Sequence, residues 1–128
     1  MQTQRLIDCA QALVAGDRGL LAMDESTGTS NKRFAKLGIP QTPEARRAYR
    51  DMIVTTPRLG ESISGAILYD ETIRQETVAG VAFAQALEQA GIIPGIKVDA
   101  GTKPLAGHPE ELVTEGLDGL RERLAEYA

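Results

Sequence analysis

Three short apolar runs, residues 19–23, 63–69 and 93–98, are separated by segments of helical periodicity, and each delivers acidic residues at or just beyond its end. That alternation constrains the fold more than any other feature. Strands connected through helices pair in parallel by right-handed crossovers. The middle run, Ile63-Ser64-Gly65-Ala66-Ile67-Leu68-Tyr69, is almost continuously apolar, as expected of a strand covered on both faces. The pattern predicts an α/β fold. Three such strands leave two unpaired edges, so the order reads as unfinished. If the architecture is a (βα) barrel, a complete one takes roughly 250 residues, and a chain of 128 is expected to hold only the first part of it.

The helices are marked by their ends. Leu6, Cys9, Ala10, Leu13 and Val14 recur at helical spacing before Gly16, which predicts an amphipathic first helix. Thr29 or Ser30 is the expected cap of a second, closed by Gly38 and Pro40. Thr42-Pro43-Glu44 predicts a third helix running to about Val54, because threonine accepts from free amides, proline suits the first helical position and glutamate complements the positive end. Residues 81–90 read as another helix ended by Gly91, with Pro94 limiting strand pairing to the residues after it. A loop rich in glycine and proline is expected next, then a helix with Leu117, Leu120 and Leu124 on one face.

Bulk properties narrow the function. Eighteen acidic against fourteen basic side chains give a net charge of -4, which argues against a nucleic-acid partner. Cys9 is the single cysteine, and no cysteine and histidine spacing matches a zinc site. No segment approaches the roughly 20 apolar residues of a membrane span, so a cytoplasmic location without membrane contact is expected.

Several residues have the chemistry for a phosphosugar site. Asp24 follows a strand, where βα folds place ligand loops; it either orients a hydroxyl or binds nearby amides as a turn residue. Ser26, Thr27, Gly28, Thr29 and Ser30 precede Lys32 and Arg33, so hydroxyls, helix amides and a forked cation converge as a phosphate requires. Helix capping beside a solvated basic face is the competing reading. Lys97 lies in an apolar run: desolvated, it attacks a carbonyl to form an imine or holds an anion, and on an edge strand it faces water. Arg46, Arg47 and Arg50 either reach a phosphate or form a solvated helix face.

The order of segments is more specific than any one of them. Leu21-Ala22-Met23-Asp24-Glu25-Ser26-Thr27-Gly28, Arg46-Arg47-Ala48-Tyr49-Arg50, Gly65-Ala66-Ile67-Leu68-Tyr69-Asp70-Glu71-Thr72, Gly95-Ile96-Lys97-Val98-Asp99, Pro104-Leu105-Ala106-Gly107 and Gly116-Leu117-Asp118-Gly119-Leu120 follow one another over essentially the whole chain. Together they resemble the class I fructose-bisphosphate aldolases. The resemblance implies a (βα)8 TIM barrel, with residues 1–128 as the N-terminal part of one barrel domain, and an enzyme of glycolysis and gluconeogenesis that needs no metal or other cofactor. The implied reaction is reversible cleavage of fructose 1,6-bisphosphate, a phosphorylated sugar, to dihydroxyacetone phosphate and glyceraldehyde 3-phosphate through a lysine imine.

By the same resemblance Asp24 positions substrate hydroxyls and the reactive lysine. Lys97 contributes electrostatic contacts and is not the imine-forming residue. Ser26, Thr29, Arg33 and Arg46 fall at substrate-phosphate positions. The imine lysine and the acid/base glutamates are expected beyond Ala128, so the isolated chain is expected to be inactive. Complete relatives are often homotetramers. Ala100 departs from the family pattern, where a lysine is common. Two other readings compete: a noncatalytic phosphosugar-binding or interaction fragment, and another Schiff-base barrel lyase or transferase that uses Lys97.

Overall fold

Ile63–Leu68 (β2) lies between Gly19–Ala22 (β1) and Ile93–Ile96 (β3) in a three-stranded parallel sheet of order β1-β2-β3. The computed structural model describes residues 2–128. Leu21 pairs with Ala66 and Ala22 with Ile67, while Gly65 pairs with Ile93 and Leu68 with Ile96. The parallel α/β arrangement expected from the apolar runs is present. Pro94 is a correction: it sits in register with Ala66, one residue after pairing begins.

Helices fill the connections: Gln2–Leu13 (α1), Thr27–Lys36 (α2), Pro43–Val54 (α3), the single turns Leu59–Ser62 (α4) and Asp70–Ile73 (α5), and Phe83–Gln89 (α6). Alternate positions of β2 place Ala66 and Leu68 in a buried cluster with Met23, Val54 of α3, Phe83 and Leu87 of α6, and Ile92. Leu13 of α1 packs at the opposite face. A Cβ on Gly65 would lie 2.5 Å from Leu13 Cδ2, so the central strand carries glycine where that helix approaches. The Ser64 hydroxyl adds a tie, donating to the Leu13 carbonyl at 2.6 Å.

The start of α3 is as the sequence predicts, with Thr42 Oγ1 accepting from the Ala45 amide at 3.2 Å. The start of α2 is not. Ser26, rather than Thr29 or Ser30, is its cap, and its hydroxyl accepts from the Thr29 amide at 3.3 Å. In a run of five candidate residues, sequence alone does not say which one has extended backbone.

The chain divides into two compact units, the first ending at Ile96 and the second spanning Lys97–Ala128. In the second unit Thr102–Leu105 (β4) and His108–Thr114 (β5) form an antiparallel hairpin, followed by Leu120–Tyr127 (α7). The expected glycine- and proline-rich loop is therefore a hairpin. Every residue of β4 and β5 is exposed, so neither strand needs the apolar alternation by which strands are recognised. Among the described residues no helix is long and apolar enough to cross a membrane.

Phe83 is fully buried at the centre of the first unit's core. Phe83→Ala is expected to lower unfolding free energy by about 3–5 kcal/mol, read from the urea midpoint; a change under about 1 kcal/mol would contradict the packing described.

Candidate functional site

The carboxyl end of β1 delivers Met23 into the core, and the chain then surfaces at Asp24, which is half-buried. Burying Met23 fixes where the next residues emerge. Two residues on, Ser26 caps α2 and brings its Oγ within 3.2 Å of Thr29 Oγ1. The two hydroxyls expected to hold phosphate are therefore neighbours at the amino end of a helix, where unpaired amides and the helix dipole favour an anion.

Arg33 follows one turn later and is 58% exposed, with its guanidinium hydrogen-bonded to Glu25 Oε1. Glu25 is also held from α3. Arg50 Nη2 donates to the Glu25 carbonyl at 2.9 Å and lies 3.1 Å from Oε2. Only 3% of the Arg50 side chain is accessible, and its Nε and Nη1 are buried without a hydrogen-bond partner. Ser30 Oγ is likewise buried without a partner.

Arg46, one turn before Arg50, is buried too. Its Nε and Nη2 donate to the two oxygens of Glu71 at 2.7 Å each, and its Nη1 donates to Asn31 Oδ1 at 2.9 Å. The planar fork matches the carboxylate, and this pairing raises the guanidinium's pKa further above its ordinary value. Arg46 thus links α3 to α2 and to the turn after β2.

The solvated arginine face considered from sequence is corrected for two of its three members. Arg46, Arg50 and Val54 form the buried stripe of α3, and Arg47 is half-buried, donating to the Glu76 carbonyl. Sequence reading missed Glu25, Glu71 and Asn31 as partners. The available signal was the four-residue spacing of Arg46, Arg50 and Val54, which puts two cations on the core-facing row of an amphipathic helix.

In the second unit Lys97 stands immediately after the last residue of β3 instead of within the strand. It is half-buried, and its ammonium is ion-paired with Asp99 Oδ2. The other carboxylate oxygen accepts from the Gly101 amide at 2.9 Å. Lys97 first, and the Gly101 amide second, hold the Asp99 carboxyl below its ordinary pKa.

The turn carrying this pair is braced. Ala100 N donates to Glu115 O at 2.8 Å and Glu115 N to Gly101 O at 3.0 Å. Gly116, at φ +151, packs so closely that a Cβ there would sit 2.8 Å from Val98 O. Arg123 of α7 completes the brace, donating to the carbonyls of Val98 at 3.1 Å and Gly116 at 2.6 Å. Among the described residues no group of three or more His, Cys, Asp or Glu side chains is placed to hold a metal ion.

Two outcomes follow from these contacts. Glu71→Gln takes the charge from the acceptor of a buried guanidinium and is expected to cost about 1–3 kcal/mol in urea unfolding; an unchanged midpoint would mean the pair is not formed. Asp99 has a depressed folded-state pKa, so its contribution to stability is present above the unfolded value, about 3.9, and is lost as pH falls through the folded one. Carboxyl NMR titration is expected to place its midpoint below that of an ordinary aspartate, moving upward in Lys97→Met. An identical midpoint in both proteins would contradict the pairing.

The chain matches the family model described as "Fructose-bisphosphate aldolase class-I" over residues 5–128. It is 61% identical over 127 residues to a probable fructose-bisphosphate aldolase class 1 of Xanthomonas campestris pv. campestris, covering 99% of this chain and 38% of that protein. It is 48% identical to the chloroplastic fructose-bisphosphate aldolase 3 of Arabidopsis thaliana, covering 98% of this chain and 32% of the relative. A Plasmodium falciparum fructose-bisphosphate aldolase, solved in complex with TRAP and a small-molecule inhibitor, superimposes with a TM-score of 0.92 at 48% identity. That match covers 97% of this chain and 36% of the solved one. The chain spans about a third of the length of the relatives it matches.

Proposed function

The chain belongs to the class I fructose-bisphosphate aldolases, and we propose that its residues form the first wall of an aldolase site in a (βα)8 barrel. The reaction on this reading is reversible cleavage of fructose 1,6-bisphosphate into dihydroxyacetone phosphate and glyceraldehyde 3-phosphate. A lysine amine condenses with the ketone with loss of water, and the iminium accepts the electron pair of the breaking carbon-carbon bond as an enamine. Carboxylates move the protons.

The observation that carries the reading is the grouping at the end of β1, where Asp24 emerges beside an α2 start lined by Ser26 and Thr29. Asp24 orients substrate hydroxyls and the imine lysine. Ser26, Thr29 and Arg33 receive a phosphate. Arg46 has most of its donors engaged by Glu71 and Asn31, so its part in phosphate binding is mainly to hold α2 in place.

Lys97 acts as a fixed cation. Its ion pair with Asp99 holds the side chain in place. The imine lysine and the glutamate acid/base groups on this reading are supplied by residues outside these 128. The assembly is the tetramer common in the family, acting in the cytoplasm.

A chimera tests the proposal: residues 1–128 joined to the part of the Xanthomonas campestris relative downstream of the matched segment. It is expected to cleave fructose 1,6-bisphosphate in a coupled assay. Asp24→Asn and Lys97→Met are each expected to lower kcat at least about a hundredfold. A folded chimera without activity, or variants with unchanged kcat, would overturn the assignment of these residues.

A further inference from the structure

Glu25 is shared by two arginines of opposite character, one exposed, the other sealed in the core. Its Oε1 takes a hydrogen bond from Arg33, the cation assigned above to substrate phosphate. Its Oε2 is ion-paired with Arg50 Nη2 at 3.1 Å but accepts no hydrogen bond, while the same nitrogen donates to the Glu25 carbonyl. Arg50 therefore has two buried nitrogens, Nε and Nη1, with nothing to donate to. Buried guanidinium donors without acceptors are costly. The Glu25 carboxylate is beside them, with Oε1 taken by Arg33 and Oε2 buried without a hydrogen bond.

We infer that Glu25 is a transferable carboxylate, standing in for phosphate on Arg33 when the site is empty and turning onto the Arg50 fork when phosphate takes Arg33. The inference rests on the phosphate reading of Arg33. The exchange conserves charge pairing: Arg33 trades a carboxylate for a phosphate, while Arg50 gains hydrogen bonds its buried donors lack. Only side-chain rotation of Glu25 is required. Its carbonyl stays on Arg50 Nη2, so Asp24 and the Ser26 cap on either side keep their places. Arg50 is on this account a positioning residue, communicating occupancy of an exposed site to the core through a side chain that phosphate itself cannot reach.

The test is an inorganic phosphate titration of the 128-residue chain, followed through the arginine side-chain carbon signals by NMR. Phosphate is expected to shift Arg33 and Arg50 together with one midpoint. In Glu25→Gln, Arg33 is expected to respond and Arg50 to stay still. Arg50→Lys retains the charge but not the fork, and phosphate affinity is expected to fall about two- to tenfold. An Arg33 response with Arg50 unmoved in the unmodified chain overturns the transfer while leaving the phosphate site intact. Absence of any Arg33 response overturns both readings. The unmodified chain decides the question alone if a variant does not fold.

Discussion

Burial of two guanidinium groups, one turn apart on α3, is the constraint on which the candidate site depends. A guanidinium removed from water must be met by acceptors, and those available lie on other elements. Arg46 draws in Glu71 after β2 and Asn31 of α2, and Arg50 draws in Glu25 after β1. The carboxyl ends of two neighbouring strands are thereby tied to one helix. Desolvation offsets much of what such pairs contribute to stability, so their main effect is position. In a parallel sheet, position at the strand ends is what makes a site.

The apolar part of the fold was legible because burial imposes a period. The three strands and the α3 boundaries follow from apolar runs and from Thr42-Pro43-Glu44, each with a direct physical cause. The β4–β5 hairpin was hidden for the converse reason, since strands exposed along their whole length carry no apolar face to mark them. The single turns α4 and α5 are too short for periodicity to register.

The candidate site was legible in its residue types more than in its contacts. Asp24, Ser26, Thr29 and Arg33 stand together after β1, as their sequence proximity requires. The pairings of Arg46 with Glu71 and Arg50 with Glu25 each span 25 residues, and nothing local in either segment specifies the partner. Lys97 shows the limit most clearly. As a lysine in an apolar run it invites a nucleophilic reading, and nothing in that run marks its pairing with Asp99 or the turn closed from residues 115 and 116.

On the proposed function, the residues after β1 hold and orient a phosphosugar while the covalent step belongs to a lysine outside residues 1–128. Borohydride trapping with dihydroxyacetone phosphate, followed by peptide mapping of the chimera, tests it most directly. The account predicts one reduced adduct, on a lysine outside residues 1–128, and an unmodified Lys97. An adduct mapped to Lys97 would contradict it and make the Asp99-paired lysine the nucleophile.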